Sequence, residues 1–441
     1  MCLYAAVLAD RDLLDLILRA SRPDEDSLLR LRVVLSGVSW TWRAAARQAR
    51  FDAAWLRPFA ASAARFVRTL PALQAAGDVP ALLAGIDAFR SSAATQQAAV
   101  DALNGLLRGP RVRHVRTAMR VSRGFARLVA SLRAHLCHDS PCQTDRHCSR
   151  MAAHACLDVL KRAICSDGVP HAGRAAEAAS AGVFAVAVRV IQKNMAFRAM
   201  VCAGLSVLRA GARHAGAAGM HVAMEAMRRY ADSRRSADTT VQCAGMRVLA
   251  GLQIAAGPAG LLACVRTVSP LHLAFVAAGG VELVLATLRR PAPLACFERA
   301  HALSEPADAP CARCVRAVAR MRLHACLALA QVAAQHRTDT ARSIVDGGGV
   351  AAVVRLLRQT GTSSGTDVAT QLLGCLALVH LARMDAALPQ RVLAEKGLPV
   401  LERALAALPT DSEHAAAARD TCVPVLLARM QQLALADPCQ Q

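Results

Sequence analysis

The chain has 441 residues and a formal net charge of +21, from 53 Lys and Arg against 32 Asp and Glu. Hydrophobic residues make up 54% and aromatic residues only 3%, which argues against a β-sandwich or barrel and favours an all-helical chain. The charge leaves two interpretations open: the codon bias of a GC-rich genome, or an anionic partner such as an acidic protein or nucleic acid.

The N-terminal stretch, residues 1–19, carries Asp10, Asp12 and Asp15 and lacks the basic start and cleavage site of a signal peptide. No uncharged run of 18 or more apolar residues occurs, so we predict neither a membrane span nor a membrane partner. The sixteen cysteines are therefore expected to be reduced thiols in a cytoplasmic or nuclear protein.

Residues 1–60 are predicted to form a small helical N-terminal unit, because all three tryptophans fall there: Trp40, Trp42 and Trp55. Paired leucines with an isoleucine precede a Pro-containing turn, and a Leu-rich segment then leads into Val38-Ser39-Trp40-Thr41-Trp42-Arg43. This pattern resembles an F-box. It departs from that family in lacking the Leu-Pro opening and in an insertion over Val34 to Gly37.

The F-box resemblance implies that a Skp-type adaptor docks on this unit, while Trp42 packs inside. The apolar residues that would face the adaptor are Leu13, Leu14, Ile17, Leu28, Leu31 and Val33. The alternative is a capping helical hairpin whose tryptophans cover the end of a repeat array, since terminal repeats are atypical.

Residues 70–435 are predicted to be about seven irregular helical units. A glycine at a sharp turn that favours positive φ precedes a short apolar helix, and a longer Ala-rich helix follows. The glycines are Gly77, Gly124, Gly182, Gly219, Gly279-Gly280, Gly347-Gly348-Gly349 and Gly397. A phrase also recurs along the long helices, as in Cys202-Ala203-Gly204 and Cys243-Ala244-Gly245. Such repetition indicates stacked units that each bury a face on their neighbours.

This plan resembles the armadillo repeat, most closely at Ala278-Gly279-Gly280-Val281 and Asp346-Gly347-Gly348-Gly349-Val350. The resemblance implies an all-α fold, a right-handed α-solenoid whose long third helices line an inner groove. HEAT repeats are the nearest alternative. Inserts at 136–146, 291–314 and 359–366 make the spacing irregular, and each falls between a second and a third helix.

Residues 108–133 hold eight arginines and no acid, and Arg113, Arg116 and Arg120 would share one helix face. That face could bind phosphates or an acidic peptide. The alternative, which we favour, is a solvated helix surface.

Two inserts contain clustered thiols and imidazoles, and four such ligands could bind zinc. One holds Cys137, His138, Cys142, His147 and Cys148, and the other holds Cys296, His301, Cys311 and Cys314. Each offers one short pair at best, so reduced thiols without metal are the favoured interpretation. Five further cysteines on the long helices are expected to pack as small hydrophobes: Cys156, Cys202, Cys243, Cys326 and Cys375.

The sequence contains no P-loop, dinucleotide fingerprint, nucleophile elbow or zincin helix, so we predict no enzymatic activity and no cofactor. The favoured function is a protein–protein interaction scaffold with a protein partner in the groove. With a true F-box it would be the substrate-recognition subunit of a cullin-type ubiquitin ligase. The alternatives are a scaffold without that link and a basic solenoid that binds nucleic acid, disfavoured because aromatics for base stacking are scarce.

Overall fold

The computed structural model describes residues 56–90, 92–136, 143–166, 169–231, 236–253, 270–289, 312–334, 337–360, 365–407 and 423–436. The predicted adaptor-binding residues lie outside these ranges, as do most residues of the inserts. Contacts divide the chain into two compact bodies, an N-terminal body ending at Val159 and a C-terminal body beginning at Leu160.

The prediction of an all-α fold is confirmed for the described residues, which form twenty helices and one two-stranded ribbon. The N-terminal body contains α1 Leu56–Ala76, α2 Val79–Ala88, α3 Ala93–Arg108, α4 Val112–Val121, α5 Gly124–Leu136 and most of α6 Gln143–Ile164. Strand β1, Cys165–Ser166, pairs antiparallel with β2, Val169–Pro170.

The C-terminal body contains fourteen further described helices. They are α7 Ala172–Ser180, α8 Val183–Lys193, α9 Arg198–Ala210, α10 Ala212–Arg229, α11 Ser236–Gln253, α12 Pro270–Ala277, α13 Gly280–Arg289, α14 Ala312–Ala333, α15 Thr338–Asp346, α16 Gly349–Gln359, α17 Gly365–Met384, α18 Leu388–Ala394, α19 Leu398–Ala406 and α20 Val423–Ala436. No single described helix is both long and apolar enough to cross a membrane, although α7 with α8 and α12 with α13 reach that length and composition as bent pairs.

Most helices fall into triplets, in which two short helices precede a longer third one. The clearest are α7–α8–α9, α12–α13–α14, α15–α16–α17 and α18–α19–α20. In the C-terminal body the third helices pack side by side in chain order, α9 on α11, α11 on α14, α14 on α17 and α17 on α20. The second helices α8, α10, α13, α16 and α19 also pack on one another in order.

A left-handed residue separates the first two helices at the junctions. Positive φ occurs at Gly77, Arg123, Gly182, Gly279, Gly348 and Lys396, and at each one the N–H donates to the carbonyl three residues earlier. This hydrogen bond ends the first helix and turns the chain into the second.

At four of these six junctions the residue after the left-handed one is a glycine, and the reason is close packing. A Cβ at Gly280 would lie 2.4 Å from the Phe275 ring, and one at Gly349 would lie 2.6 Å from Ile344. Both neighbours stand five residues earlier in the chain. At the α7–α8 junction the large and small residues are exchanged. Val183 follows Gly182, and the residue five earlier is the small, fully buried Ala178.

Three predicted turn glycines were wrong in detail. Gly124 and Gly397 occupy the close-packed position, so Arg123 and Lys396 before them take the positive φ, at 52° each. Gly219 lies inside α10, and the break falls at Gly216, with φ 59° and ψ −159°. No separate first helix precedes α10, so one kink replaces the usual two-helix junction.

Arginines at the ends of second helices reach the next junction in three successive places. Arg228 donates to the carbonyl oxygen of Ala278, Arg289 to that of Gly347, and Arg358 to that of Glu395 at 2.8 Å. Each acceptor is the residue directly before the left-handed one. These charge-assisted hydrogen bonds link consecutive groups of helices at matching positions.

Arg358→Ala is expected to reduce the free energy of unfolding by about 1 kcal/mol, because a hydrogen bond from an exposed cation contributes little more. The matched control is Arg355→Ala on the same helix, since Arg355 is exposed and makes no hydrogen bond within the described residues. Urea unfolding measures both variants. Equal losses of stability would show that the Arg358 link contributes nothing.

The long-helix cysteines occupy two different positions. Cys156, Cys326 and Cys375 are fully buried, and burial raises the pKa of each thiol to about 12. They are small packing groups, as predicted, and not nucleophiles. Cys202 is only half-buried, which corrects the expectation of core packing there, because it lies on the accessible side of α9.

Candidate anion-binding site on the long helices

Three adjacent third helices of the C-terminal body bring cationic side chains together. Helix α9 carries Arg209 in its last turn, α11 carries Arg247, and α14 carries Arg320 with His324 one turn later. Because α11 packs against both α9 and α14, residues distant in sequence become neighbours. We call these four residues the basic cluster.

The basic cluster lies at the boundary between the helix core and solvent. Arg209, Arg247 and His324 are half-buried, and Arg320 is exposed. Cys243 precedes Arg247 by one turn and is 9% exposed. The Nε of Arg247 is buried and has no hydrogen-bond partner among the described residues. A buried donor without an acceptor is unfavourable, so an incoming anion gains a prepared partner.

The positive charges of the basic cluster repel one another. Burial lowers the pKa of the Arg209 and Arg247 guanidinium groups, and the charges of the neighbouring arginines lower it further. Burial raises the pKa of the Cys243 thiol, against the opposing effect of Arg247, Arg320 and Arg209. Within the described residues, the charged groups that act on Arg247 are Arg320 and the thiols Cys243 and Cys165, and none of them is a carboxylate.

The electrostatic effect of the three arginines is clearest at His324. Burial, followed by the charges of Arg247, Arg209 and Arg320, lowers its pKa from 6.5 to about 4. The imidazole is therefore neutral at physiological pH and adds no charge of its own. The three guanidinium groups make the cluster a site of positive potential suited to an anion.

His324 should make the protein less stable as the pH falls. The folded-state pKa lies below the unfolded value, so the stabilisation is complete above about pH 6.5 and is lost progressively towards pH 4. The full difference corresponds to about 3 kcal/mol. His324→Gln is expected to flatten this part of the curve of unfolding free energy against pH.

The control for this prediction is His221→Gln, because His221 is exposed on α10. His272 is fully buried, and burial also lowers its pKa, so the effect of His324 is taken as the difference between wild type and variant. An unchanged slope between pH 6.5 and 4 in His324→Gln would contradict the assigned electrostatics.

The predicted arginines Arg113, Arg116 and Arg120 lie on α4, opposite the buried Val115 and Met119. Arg113 and Arg120 are exposed and Arg116 is half-buried. Helix formation at α4 places them on one face, and their role in binding stays a prediction. The predicted adaptor-binding residues of the N-terminal unit lie outside the described residues.

The sequence gives no local sign of the basic cluster, because its three arginines, at positions 209, 247 and 320, are separated by 38 and 73 positions in the chain. Arg247 stands within the repeated phrase, at Cys243-Ala244-Gly245-Met246-Arg247. An arginine beside the repeated phrase could have drawn attention to this position.

Most of the predicted zinc ligands lie outside the residues whose side chains the structure describes. Among the described residues no group of three or more His, Cys, Asp or Glu side chains could hold a metal ion. Cys148 is a half-buried free thiol on α6. The other insert cysteines lie outside the residues whose side chains are described.

No protein-family model matches this sequence, and a search among curated proteins finds no similar one.

Proposed function

We propose that this chain is a non-enzymatic scaffold for protein–protein interaction, built as a right-handed α-solenoid of armadillo-like repeats. The support is the order of the C-terminal body, where third helices pack side by side and gather the basic cluster on their accessible side. Repeated units of this kind create extended surfaces on which several helices contact one partner.

The accessible side of the third helices is lined by small and polar residues as well as by the basic cluster. On α9 it includes Cys202 and Ser206, and on α11 Thr240 and Ala244. The hydroxyl of Ser206 donates to the Cys202 carbonyl oxygen at 2.8 Å, so it lies close to the helix backbone. Short side chains leave room for a partner segment to approach the helices.

Affinity purification with matched tryptophan variants tests this proposal. Thr240→Trp adds bulk to an exposed position on a third helix, and Ala286→Trp adds it to an exposed position on the second helix α13. We expect Thr240→Trp to lose proteins that co-purify with wild type, while Ala286→Trp retains them. The same set of proteins with both variants would overturn the assignment of the third helices as the binding surface.

The proposal extends to a ubiquitin-ligase subunit through the F-box-like N-terminal unit, on sequence alone. Its mechanism would be proximity, because an adaptor bound to that unit would bring a target held by the repeats close to the transfer machinery. Co-purification of a Skp-type adaptor, lost in Leu14→Asp with Ile17→Asp, is the expected result. No adaptor with the intact protein would leave a scaffold without a ubiquitin link.

Nucleic-acid binding remains the second candidate because the net charge is +21. Binding by charge alone would weaken steeply between low and moderate salt and would show no sequence preference. Aromatic residues on which bases could stack make up only 3% of the sequence.

A further inference from the structure

We infer that the basic cluster of Arg209, Arg247, Arg320 and His324 is a binding site for a phosphorylated side chain in a segment of a partner protein. This inference rests on the proposed scaffold function and specifies the chemistry of its partner. The cluster differs from the surface charge elsewhere because its groups converge from three helices onto one place.

Because the three arginines act on one another, they suit a single phosphate better than a row of separate carboxylates. Each pair among Arg209, Arg247 and Arg320 interacts electrostatically, although α11 separates the helices that carry the first and the last. Helix α11 packs against both α9 and α14, so the three arginines stand on neighbouring helices and act on one another. A phosphate presents three strong acceptor oxygens and close to two negative charges there.

The free donor of Arg247 gives the site a specific contact. Its Nε is buried without an acceptor, and neither Arg247 nor Arg320 forms a salt bridge within the described parts of the chain. Guanidinium groups match phosphate oxygens in two-point hydrogen bonds, which a lysine cannot copy. The anion would satisfy a buried donor and relieve the repulsion among the three cations.

Nucleic acid fits the cluster less well. Phosphate backbones are followed by exposed cations along a groove, commonly with aromatic side chains that stack on bases. Here two of the three arginines are half-buried and converge. A single phosphate suits arginines that are half-buried and close together. The small side chains of the third helices leave room for the protein segment that carries it.

His324 supplies an independent readout. The cations that act on His324 are Arg247, Arg209 and Arg320, and the thiols Cys243 and Cys165 act on Arg209 and Arg247 within the described residues. A bound phosphate keeps one negative charge below its second pKa of about 6. That charge offsets the field of the guanidinium groups, so the pKa of His324 should rise on binding from its value of about 4. Protons would be taken up as the complex forms at mildly acidic pH.

The test uses the full chain and two degenerate peptide libraries, identical except that one has phosphoserine and the other serine at the central position. Fluorescence anisotropy should show at least about tenfold tighter binding of the phosphoserine library. Arg247→Gln and Arg320→Gln should each weaken that binding about tenfold or more, while Arg355→Gln, on an exposed site of α16, should leave it unchanged.

Three outcomes would overturn the inference. They are equal affinity for both libraries, equal affinity for a library with aspartate at the central position, and a single-stranded oligonucleotide that binds more tightly and is lost in the same arginine variants. A fall in phosphopeptide binding with Arg355→Gln equal to that with Arg247→Gln would also contradict it.

A second measurement needs no arginine variant and so remains informative if those variants fail to fold. The NMR titration of the His324 ring in wild type, assigned by its absence in His324→Gln, is followed with and without inorganic phosphate. We expect its pKa to move upward with phosphate, and an unchanged titration overturns the site. If both tests fail while Thr240→Trp still removes partner proteins, the scaffold proposal stands and only the phosphate specificity is lost.

Discussion

Replacing Gly280 with valine is expected to destabilise the protein by at least about 3 kcal/mol. A Cβ at this position would lie 2.4 Å from the ring of Phe275, which is fully buried. The branched side chain adds further atoms to that clash. Urea unfolding followed by circular dichroism measures the loss.

A double-mutant cycle with Phe275→Ala tests the cause of that loss. The α7–α8 junction already combines Val183 with the small Ala178 five residues earlier. Phe275→Ala alone should cost about 3–5 kcal/mol, because it leaves a cavity. The double variant should lie within about 1 kcal/mol of that single variant, a coupling of at least about 2 kcal/mol. Additive losses would show that the close packing of Gly280 on Phe275 is not the reason for the glycine.

A surface glycine provides the control for backbone effects. A Cβ at Gly105, inside α3, would meet only the side-chain amide of the exposed Gln74, which can move. Gly105→Ala is therefore expected to be neutral or to stabilise by up to about 1 kcal/mol, since alanine favours the helix.

Gln96→Leu is expected to cost about 4 kcal/mol, the second large effect. Gln96 is fully buried on α3. Its amide nitrogen donates to the Ile86 carbonyl oxygen at 2.7 Å, its carbonyl oxygen lies 2.7 Å from His135 Nε2, and the Ser131 hydroxyl donates to the same oxygen. Leucine fills the space and leaves these buried groups without their partner.

Two variants separate the network from the change of side chain. Gln359→Leu alters an exposed glutamine on α16 and should change the free energy of unfolding by less than about 0.5 kcal/mol. Adding Ser131→Ala to Gln96→Leu should recover up to about 1 kcal/mol, because without Gln96 the Ser131 hydroxyl keeps only the weak Cys156 Sγ partner, at 3.7 Å. No recovery would mean that the contact with Cys156 is enough to satisfy the hydroxyl.

Periodicity was enough to predict the helices and the places where they turn. Gly182 and Gly279 stand where they were expected, at the positive-φ residue before a second helix. The prediction failed for Gly124 and Gly397, because the sequence does not distinguish a glycine needed for its φ from one needed for close approach. That difference depends on the side chain five residues earlier, which becomes a neighbour only after the first helix ends.

The candidate site could not be predicted for a related reason. The arginine-rich stretch around Arg113, Arg116 and Arg120 is visible as a run of charge, whereas Arg209, Arg247 and Arg320 are single arginines in three separate helices. They meet because α9, α11 and α14 pack side by side. Packing between helices that are distant in sequence leaves no local pattern, apart from the repeated phrase that contains Arg247.

The central claim is that a partner protein binds the accessible side of the third helices. Site-specific photo-crosslinking tests this directly, with the photoreactive residue at Ala199 on α9, which leaves the basic cluster intact, or at Arg355 on α16, both exposed. From position 199 we predict a crosslink to a protein segment that contains a phosphorylated residue, and from position 355 none. Crosslinks to nucleic acid, or equal crosslinks to protein at both positions, would contradict it.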